Sequence, residues 1–243
     1  MMESEIIYVE EPRLHKSKLV VGLPGVGLVA SISSRQLINE MKAKKFAELR
    51  SPYFQDLVAA GEESEPLYPR IDFFCGKSRD RDFIVMHGNT QALTRFGQYD
   101  LCQRALELAR KCGTEVVVAL GGMRRSGAFR ETSVFAAASD EDMVKLALQQ
   151  GARVFKGKIY GIAGLIVGIA RVEGLRALCL MGETSSRRHD VEAARAVLQV
   201  LGEILGLRLT MTGLEKTAAE VRKSIEPFAL ETEEKRAEFV GPV

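Results

Sequence analysis

The sequence predicts an α/β fold: one domain of parallel βα units whose sheet is covered on both faces, followed by a helical appendage. Two observations carry this. Short β-branched runs alternate along the chain with segments of helical period, the pattern that builds a buried parallel sheet. The 243 residues are 46% hydrophobic and 27% charged, as in soluble globular chains, and show no repeat of fixed period. At ~150 residues per domain, that length allows one large domain or two small ones.

Lys18-Leu19-Val20-Val21-Gly22 reads as a buried strand leading into a glycine-rich turn. A helix over 27–42 follows, with Gly27, Ala30, Ser31 and Ser34 at i, i+3, i+4 and i+7. Such a small-residue stripe lets a helix backbone press against a sheet. Phe46 to Leu49 is a second strand. Residues 51–70 hold Pro52, Pro66 and Pro69 without a sustained period, which predicts a surface excursion. Ile71–Gly76 and Asp82–Met86 are strands joined by the charged connector 77–81, the composition of a hairpin tip in solvent. A helix over 98–112 carries Leu101, Ala105, Leu108 and Cys112 on one face.

Val116–Leu120 reads as a central strand, and Val134–Ala138 as another. Ser139 with Asp142 forms a weak capping box for a helix over 140–150. The apolar segment 159–173 reads as a helix buried on most sides, and the strand Ala177–Met181 follows it. Asp190 caps a helix whose Val191, Ala194, Val197, Leu198, Leu201 and Leu205 share one face. Thr212-Gly213-Leu214-Glu215 is a better capping box, opening an amphipathic helix along Leu214, Ala218, Val221 and Ile225. After Pro227 the chain turns acidic and loses its period, which predicts a mobile tail. The organisation is an α/β core over 1–208, a C-terminal amphipathic helix over 209–228 and a flexible tail over 229–243.

Charge excludes some functions. Lys and Arg number 34 against 32 Asp and Glu, a net charge of +2. A sequence-blind nucleic-acid binder needs a cation surplus to release counterions, so no nucleic-acid partner is expected. The longest apolar run, Ile159 to Ala170, is twelve residues, short of the ~20 that span a bilayer, so no membrane partner is expected. The acidic opening Met1-Met2-Glu3-Ser4-Glu5 does not read as a secretory signal. Cys75, Cys102, Cys112 and Cys179 show neither C-x-x-C spacing nor histidine pairing, which suits a reducing, cytoplasmic setting. Near neutrality limits solubility as a monomer. The apolar surface of 159–170 and of helix 213–226 exceeds what one sheet needs, so a homo-oligomer is expected.

The turn Gly22-Leu23-Pro24-Gly25-Val26-Gly27 stands between strand and helix, where backbone N–H groups can hold an anion. Its order is not the dinucleotide G-x-G-x-x-G, Pro24 removes one donor, and no lysine follows as in a P-loop. Glu48 lies where a ribose-binding acid could fall. The competing and stronger reading is a tight turn with close helix–sheet packing. A second cluster gathers at predicted strand ends: His87-Gly88-Asn89-Thr90-Gln91, Gly121-Gly122-Met123-Arg124-Arg125 and Gly182-Glu183-Thr184. It is either a recognition crevice or the polar edge that α/β proteins share. No catalytic residue can be named. There is no G-x-S-x-G elbow, and Ser185, Ser186, His189 and Asp190 are adjacent letters rather than triad geometry. The three histidines (His15, His87, His189) lack metal-ligand spacing, so no metal and no cofactor are expected.

The phrase Gly22-Leu23-Pro24-Gly25-Val26-Gly27-Leu28-Val29, with small helix residues after it, resembles the opening of the proteasome assembly chaperone family in its archaeal and bacterial branch. Four further stretches keep that family's order: Gly88-Asn89-Thr90-Gln91; Leu120-Gly121-Gly122; Gly161-Ile162-Ala163-Gly164-Leu165; and Leu180-Met181-Gly182-Glu183-Thr184, with Asp190 and Ala193-Ala194 beyond. The resemblance implies a three-layer α/β/α sandwich similar to nucleoside phosphorylases and peptidyl hydrolases, without an established catalytic site. It also implies homo-oligomers that, in some members, bind proteasome α subunits. Those members dock through a C-terminal hydrophobic–Tyr–any tripeptide. This chain ends Phe239-Val240-Gly241-Pro242-Val243, with Pro in the tyrosine's place, leaving Phe239 and Val240 as hydrophobic anchors. The surface expected to meet a partner comprises Pro24, Gly25, Gly27, Asn89, Gln91, Gly121, Gly122 and Glu183. The alternative is a nucleoside- or phosphate-type small molecule held in the same crevice, bound or turned over on a phosphorylase-like fold.

Overall fold

The computed structural model describes residues 3–61, 64–77, 82–125, 132–185 and 189–238, the last ten by backbone alone. The chain opens with β1 (Glu5–Tyr8), β2 (Lys18–Gly22), a 3-10 turn (Val26–Leu28), α1 (Val29–Glu40) and β3 (Lys44–Arg50). The excursion follows, containing only the small pair β4 (Ala59–Ala60) and β5 (Pro66–Leu67). Then come β6 (Ile71–Lys77), β7 (Asp82–Gly88), α2 (Arg95–Lys111), β8 (Val116–Arg124) and β9 (Val134–Ala138). The last third holds α3 (Glu141–Gln149), β10 (Arg153–Val154), α4 (Ile162–Val172), β11 (Arg176–Thr184), α5 (Val191–Leu205) and α6 (Leu214–Glu238).

Nine strands form one sheet in the order β1-β3-β6-β7-β2-β8-β11-β9-β10. Side chains alternate across it with the two-residue period of a strand. Val20, Val118, Leu120, Leu178 and Leu180 join the core beneath α1, α3, α5 and α6. Leu19, Val21, Val117, Ala119, Cys179 and Met181 join a second core beneath α2 and α4. Burial on both faces explains why these strands read as continuous apolar runs. The result is the α/β fold the sequence predicts, with helices on either side of the sheet.

Strand direction departs from that expectation. The centre β7, β2, β8 and β11 is parallel, and at one edge β10 runs parallel to β9. On one flank β6, β3 and β1 pair antiparallel, and on the other β9 runs antiparallel to β11. The connector between β6 and β7 is too short for a crossover, which needs a dozen or more residues, and those strands form the hairpin the sequence predicts.

Helix ends follow local chemistry. Thr94 accepts from the Gly97 N–H at 3.1 Å and opens α2. Asp190 accepts from the Ala193 N–H at 2.9 Å and opens α5, as the sequence predicts. The cap of α3 is Asp140, accepting from Met143 N–H at 3.0 Å, and not Ser139. The Ser139 hydroxyl instead accepts from Ala177 N–H at 2.9 Å, tying the helix start to β11.

Two helices differ from their sequence reading. In α4, Ile162, Ile166, Val167 and Ala170 are buried, while Gly168, Arg171 and Val172 are exposed. One face presses on the sheet, and among the described residues no layer covers the opposite face. α6 continues helical through Pro227 to Glu238, past the point where periodicity fades. Its apolar residues Leu214, Ala218, Val221 and Ile225 join the core beside α1 and α5. Gln36 of α1 donates to Thr212 O (3.0 Å) and accepts from the Thr217 hydroxyl (2.6 Å), which pins the start of α6. Farther along, Gln55 Nε2 donates to Phe228 O at 3.1 Å while its Oε1 accepts from the Thr90 hydroxyl. Phe239 and Val240 lie outside the described residues.

Buried Gln55 therefore couples the end of the packed part of α6 to the loop after β7. Gln55→Ala is expected to destabilise the chain by roughly 1–3 kcal/mol by stranding buried polar partners. Amides beyond Pro227 should then exchange faster while those of β2 and β8 change only with global stability. Hydrogen exchange read by mass spectrometry checks this; uniform acceleration across the chain would count against the latch.

Candidate functional site

Because β2, β7, β8 and β11 are parallel, their carboxyl ends lie along one edge. Gly22 stands beside His87, Gly182 beside Gly122, and Glu183 beside Met123. The loop after β2 leads to α1 on one face and the loop after β7 leads to α2 on the other. Crevices open at such divergences in α/β sheets. The fold thus gathers Pro24, Gly25, Gly27, Asn89, Gln91, Gly121, Gly122 and Glu183 on one edge.

The glycines there allow close approach. A Cβ on Gly22 would land on the Ser34 side chain and 2.6 Å from Ala30 O, so only glycine lets α1 lie this near β2. A Cβ on Gly122 would strike the Val26 carbonyl. Gly27 has φ +62°, a left-handed conformation that L side chains resist. By contrast Gly25 is extended, and its nearest neighbour would be 4.0 Å away. Gly121 would meet only Met181 Cγ at 3.3 Å and Ala163 Cβ at 4.0 Å.

The polar residues join loops to one another. Asn89 Oδ1 accepts from Arg70 N–H (2.8 Å) and Asn89 Nδ2 donates to Tyr68 O (3.0 Å), so both ends of its amide hold the excursion against β7. Gln91 Nε2 donates to Pro24 O, tying the loop after β7 to the glycine turn. The Thr184 hydroxyl donates to Asp190 Oδ2 (2.6 Å), and Asp190 N–H donates to Gly27 O (2.9 Å). Glu183 is only 1% exposed and pairs through Oε1 with Arg125 Nη1 at 2.8 Å. Two buried acceptors, Gln91 Oε1 and Glu183 Oε2, have no hydrogen-bond partner among the described residues.

Beneath the glycine turn lies a pairing of His87 with Ser34 that the sequence reading did not make. His87 is buried, and its Nδ1 shares a 2.9 Å hydrogen bond with Ser34 Oγ, the direction set by the imidazole tautomer. Burial first, then the positive charges of Arg35 and Arg70, push its pKa down to about 3 against a Gly22 backbone hydrogen bond. His87 is therefore a neutral ring at physiological pH. The fully buried Ser34 hydroxyl, within reach of Gly22 O and Ser31 O at 3.1 Å, is no accessible nucleophile. The clue was in the helix stripe, where a hydroxyl replaced a methyl at the point of closest approach.

Across the sheet the same row continues from His87 to Asp72 and Glu48. Lys45 reaches both carboxylates, at 2.6 Å and 2.8 Å, while Arg70 supports Asp72 and Arg50 supports Glu48. Burial would raise the Glu48 pKa, but hydrogen bonds and charge from Lys45 and Arg50 hold it below its ordinary value. β6 and β7 separate this glutamate from β2, so it is no ribose acid for the glycine turn. The triad letters do not assemble either: Asp190 caps α5, Ser185 is exposed, and Ser186 lies outside the described residues. Two surface clefts of about 400 and 430 Å³ lie elsewhere, and no residue of the strand-end cluster lines them. Among the described residues, no group of three or more His, Cys, Asp or Glu is placed to hold a metal ion.

A family model described as the PAC2 family matches residues 19–229. An uncharacterised protein of Methanocaldococcus jannaschii is 32% identical over 216 residues, 88% of this chain and 83% of that one. Among solved structures, Pyrococcus furiosus PbaB, described as an archaeal proteasome activator, is 32% identical. It superposes with a TM-score of 0.83 over 93% of this chain and 99% of that one. P. furiosus PbaA, described as an archaeal homolog of proteasome-assembly chaperone, is 25% identical. Its TM-score is 0.79, over 96% of this chain and all of that one.

Gly122→Ala is expected to destabilise by about 1–3 kcal/mol through overpacking, whereas Gly25→Ala should stay within about 0.5 kcal/mol. Urea unfolding of both variants separates close packing from mere sequence preference. His87 gives a pH signature. The unfolded chain takes up a proton near pH 6.5 that the folded chain refuses until about pH 3. Its stabilising contribution is therefore full above the unfolded pKa and is lost as pH falls. Between pH 7 and 5 this amounts to roughly 2 kcal/mol. His87→Asn should flatten the fall by about that amount, and an unchanged slope would show that His87 is not the group.

Proposed function

The chain belongs to the PAC2 family, and from that premise we propose that it is a non-enzymatic, chaperone-like scaffold. It works as a homo-oligomer and binds proteasome α subunits or a related protein partner. The observation that carries this reading is the occupation of the strand-end edge. Asn89 is fully engaged, Gln91 and Glu183 are each anchored to a neighbouring group, and His87 is buried and neutral. The residues best placed for chemistry hold loops in a fixed shape instead, which is what a docking surface needs. The descriptions of PbaB and PbaA supply the class of partner.

Mixing the chain with α subunits of its own organism and reading the products by native mass spectrometry tests the reading. A defined complex, or faster α-ring formation, is expected. Separate species with unaltered ring formation would refute it.

One observation favours the alternative of a small ligand: at the crevice edge the buried acceptors Gln91 Oε1 and Glu183 Oε2 lack partners among the described residues. A ligand bound only by the folded chain must raise its stability. Thermal unfolding with millimolar phosphate, nucleosides or nucleotides should then shift upward; no shift for any of them would dismiss it.

A further inference from the structure

The layer formed by α2 and α4 ends in a group of apolar residues that none of the described residues covers. Phe96 is 82% exposed, Tyr99 58% and Tyr160 82%. Arg110 of α2 pairs with Glu173 just after α4, which brings the C-terminal ends of the two helices together. Equal rise per residue in helices packed side by side then puts Tyr99 level with Ile162, and Phe96 close to Tyr160. The three aromatics form a knob at the carboxyl edge of the sheet. Its surroundings are cationic, because α2, residues 153–158 and α4 together carry eight Lys and Arg against two Asp and Glu. Arg95, Lys156 and Lys158 are exposed around it.

The opposite layer offers a matching recess. A cleft of about 400 Å³ lies along the C-terminal half of α5, with Leu198, Leu207, Leu209 and Met211 as its apolar lining and Glu203 and Arg208 among its polar residues. Here the charge balance reverses. The flanking helices α3 and α5, with their N-cap aspartates, hold six acidic residues against two basic ones. Knob and cleft sit on opposite faces and toward opposite edges of the sheet, so they cannot meet within one chain. Two knobs facing each other would bring like charges together.

We infer that the knob of Phe96, Tyr99 and Tyr160 seats in the α5 cleft of a second copy of this chain. The contact joins copies head to tail, each presenting a knob to one neighbour and a cleft to the other. Such heterologous contacts close into rings when the rotation per copy allows it. The inference rests on the homo-oligomer proposed above and specifies which surfaces build it.

Three full-length forms test it by native mass spectrometry at micromolar concentration: wild type, the knob variant Phe96→Ser/Tyr160→Ser, and the cleft variant Gln199→Trp. All substituted side chains are exposed, and circular dichroism matching wild type confirms that each variant folds. Wild type should form a closed oligomer and each variant alone a monomer. An equimolar mixture of the two variants should give a dimer and stop there, because it retains one intact knob and one intact cleft. Oligomers unchanged by either variant would overturn the inference while leaving the homo-oligomer intact. Monomeric variants that fail to dimerise on mixing would overturn the head-to-tail contact in the same way. A monomeric wild type would refute the homo-oligomer itself, and this contact with it.

Discussion

α1 lies so close to the end of β2 that only glycine fits between them, and much of the strand-end architecture depends on this contact. Gly22 has no Cβ, so the Ser34 side chain can occupy the space beside the strand. Ser34 in turn meets His87 on the neighbouring strand. A charged imidazole at this depth would face Arg35 without compensation, so the ring stays neutral. The 3-10 turn is held against β8 in the same manner, over Gly122. Two missing methyl groups thus set the height at which the helix layer rests on the sheet. Every loop leaving that edge begins from a position fixed by this packing.

Fixing the edge has a consequence for chemistry. A catalytic crevice keeps polar groups accessible and its reactive side chains poised between protonation states. Here Asn89, Thr90, Gln91 and Asp190 connect one loop to the next, and Gln55 extends the chain of hydrogen bonds to α6. The network turns four independent strand ends and a C-terminal helix into one rigid surface. Rigidity of that kind lowers the entropy lost on binding a large partner.

The sequence disclosed what is local and withheld what depends on a distant partner. Periodicity was enough to find the central strands, because Val20, Val118 and Leu180 are buried whatever lies beside them. The stripe Gly27, Ala30, Ser31 and Ser34 announced close packing for the same reason. Apart from the β6–β7 hairpin, strand direction at the flanks was not legible, since β3 and β9 look alike whether their neighbour runs parallel or antiparallel. Asp140 displaced Ser139 as a cap only because Ser139 was drawn to β11. Asn89 and Gln91 follow the end of β7, where spacing could put them, but their partners, Tyr68, Arg70 and Pro24, come from segments no spacing rule connects to them. The exposure of α4 was hidden by composition: an apolar segment of that length says it must be covered, not by which molecule.

Near neutrality takes on a different meaning once charge is placed in space. A net charge of +2 spread evenly would merely leave the chain prone to associate without preference. Instead, the cations concentrate on the α2/α4 layer, and acids outnumber bases three to one on α3 and α5 with their caps. An object with opposite charges on opposite faces is attracted to copies of itself in one orientation and repelled in the inverse. Charge complementarity of this kind selects register more than it adds affinity, so the apolar knob and cleft must supply the binding energy. Balanced charge, exposed aromatics and an occupied strand-end edge then fit one physical account, the proposed one, in which the reactive-looking residues join loops and the outer layers meet protein.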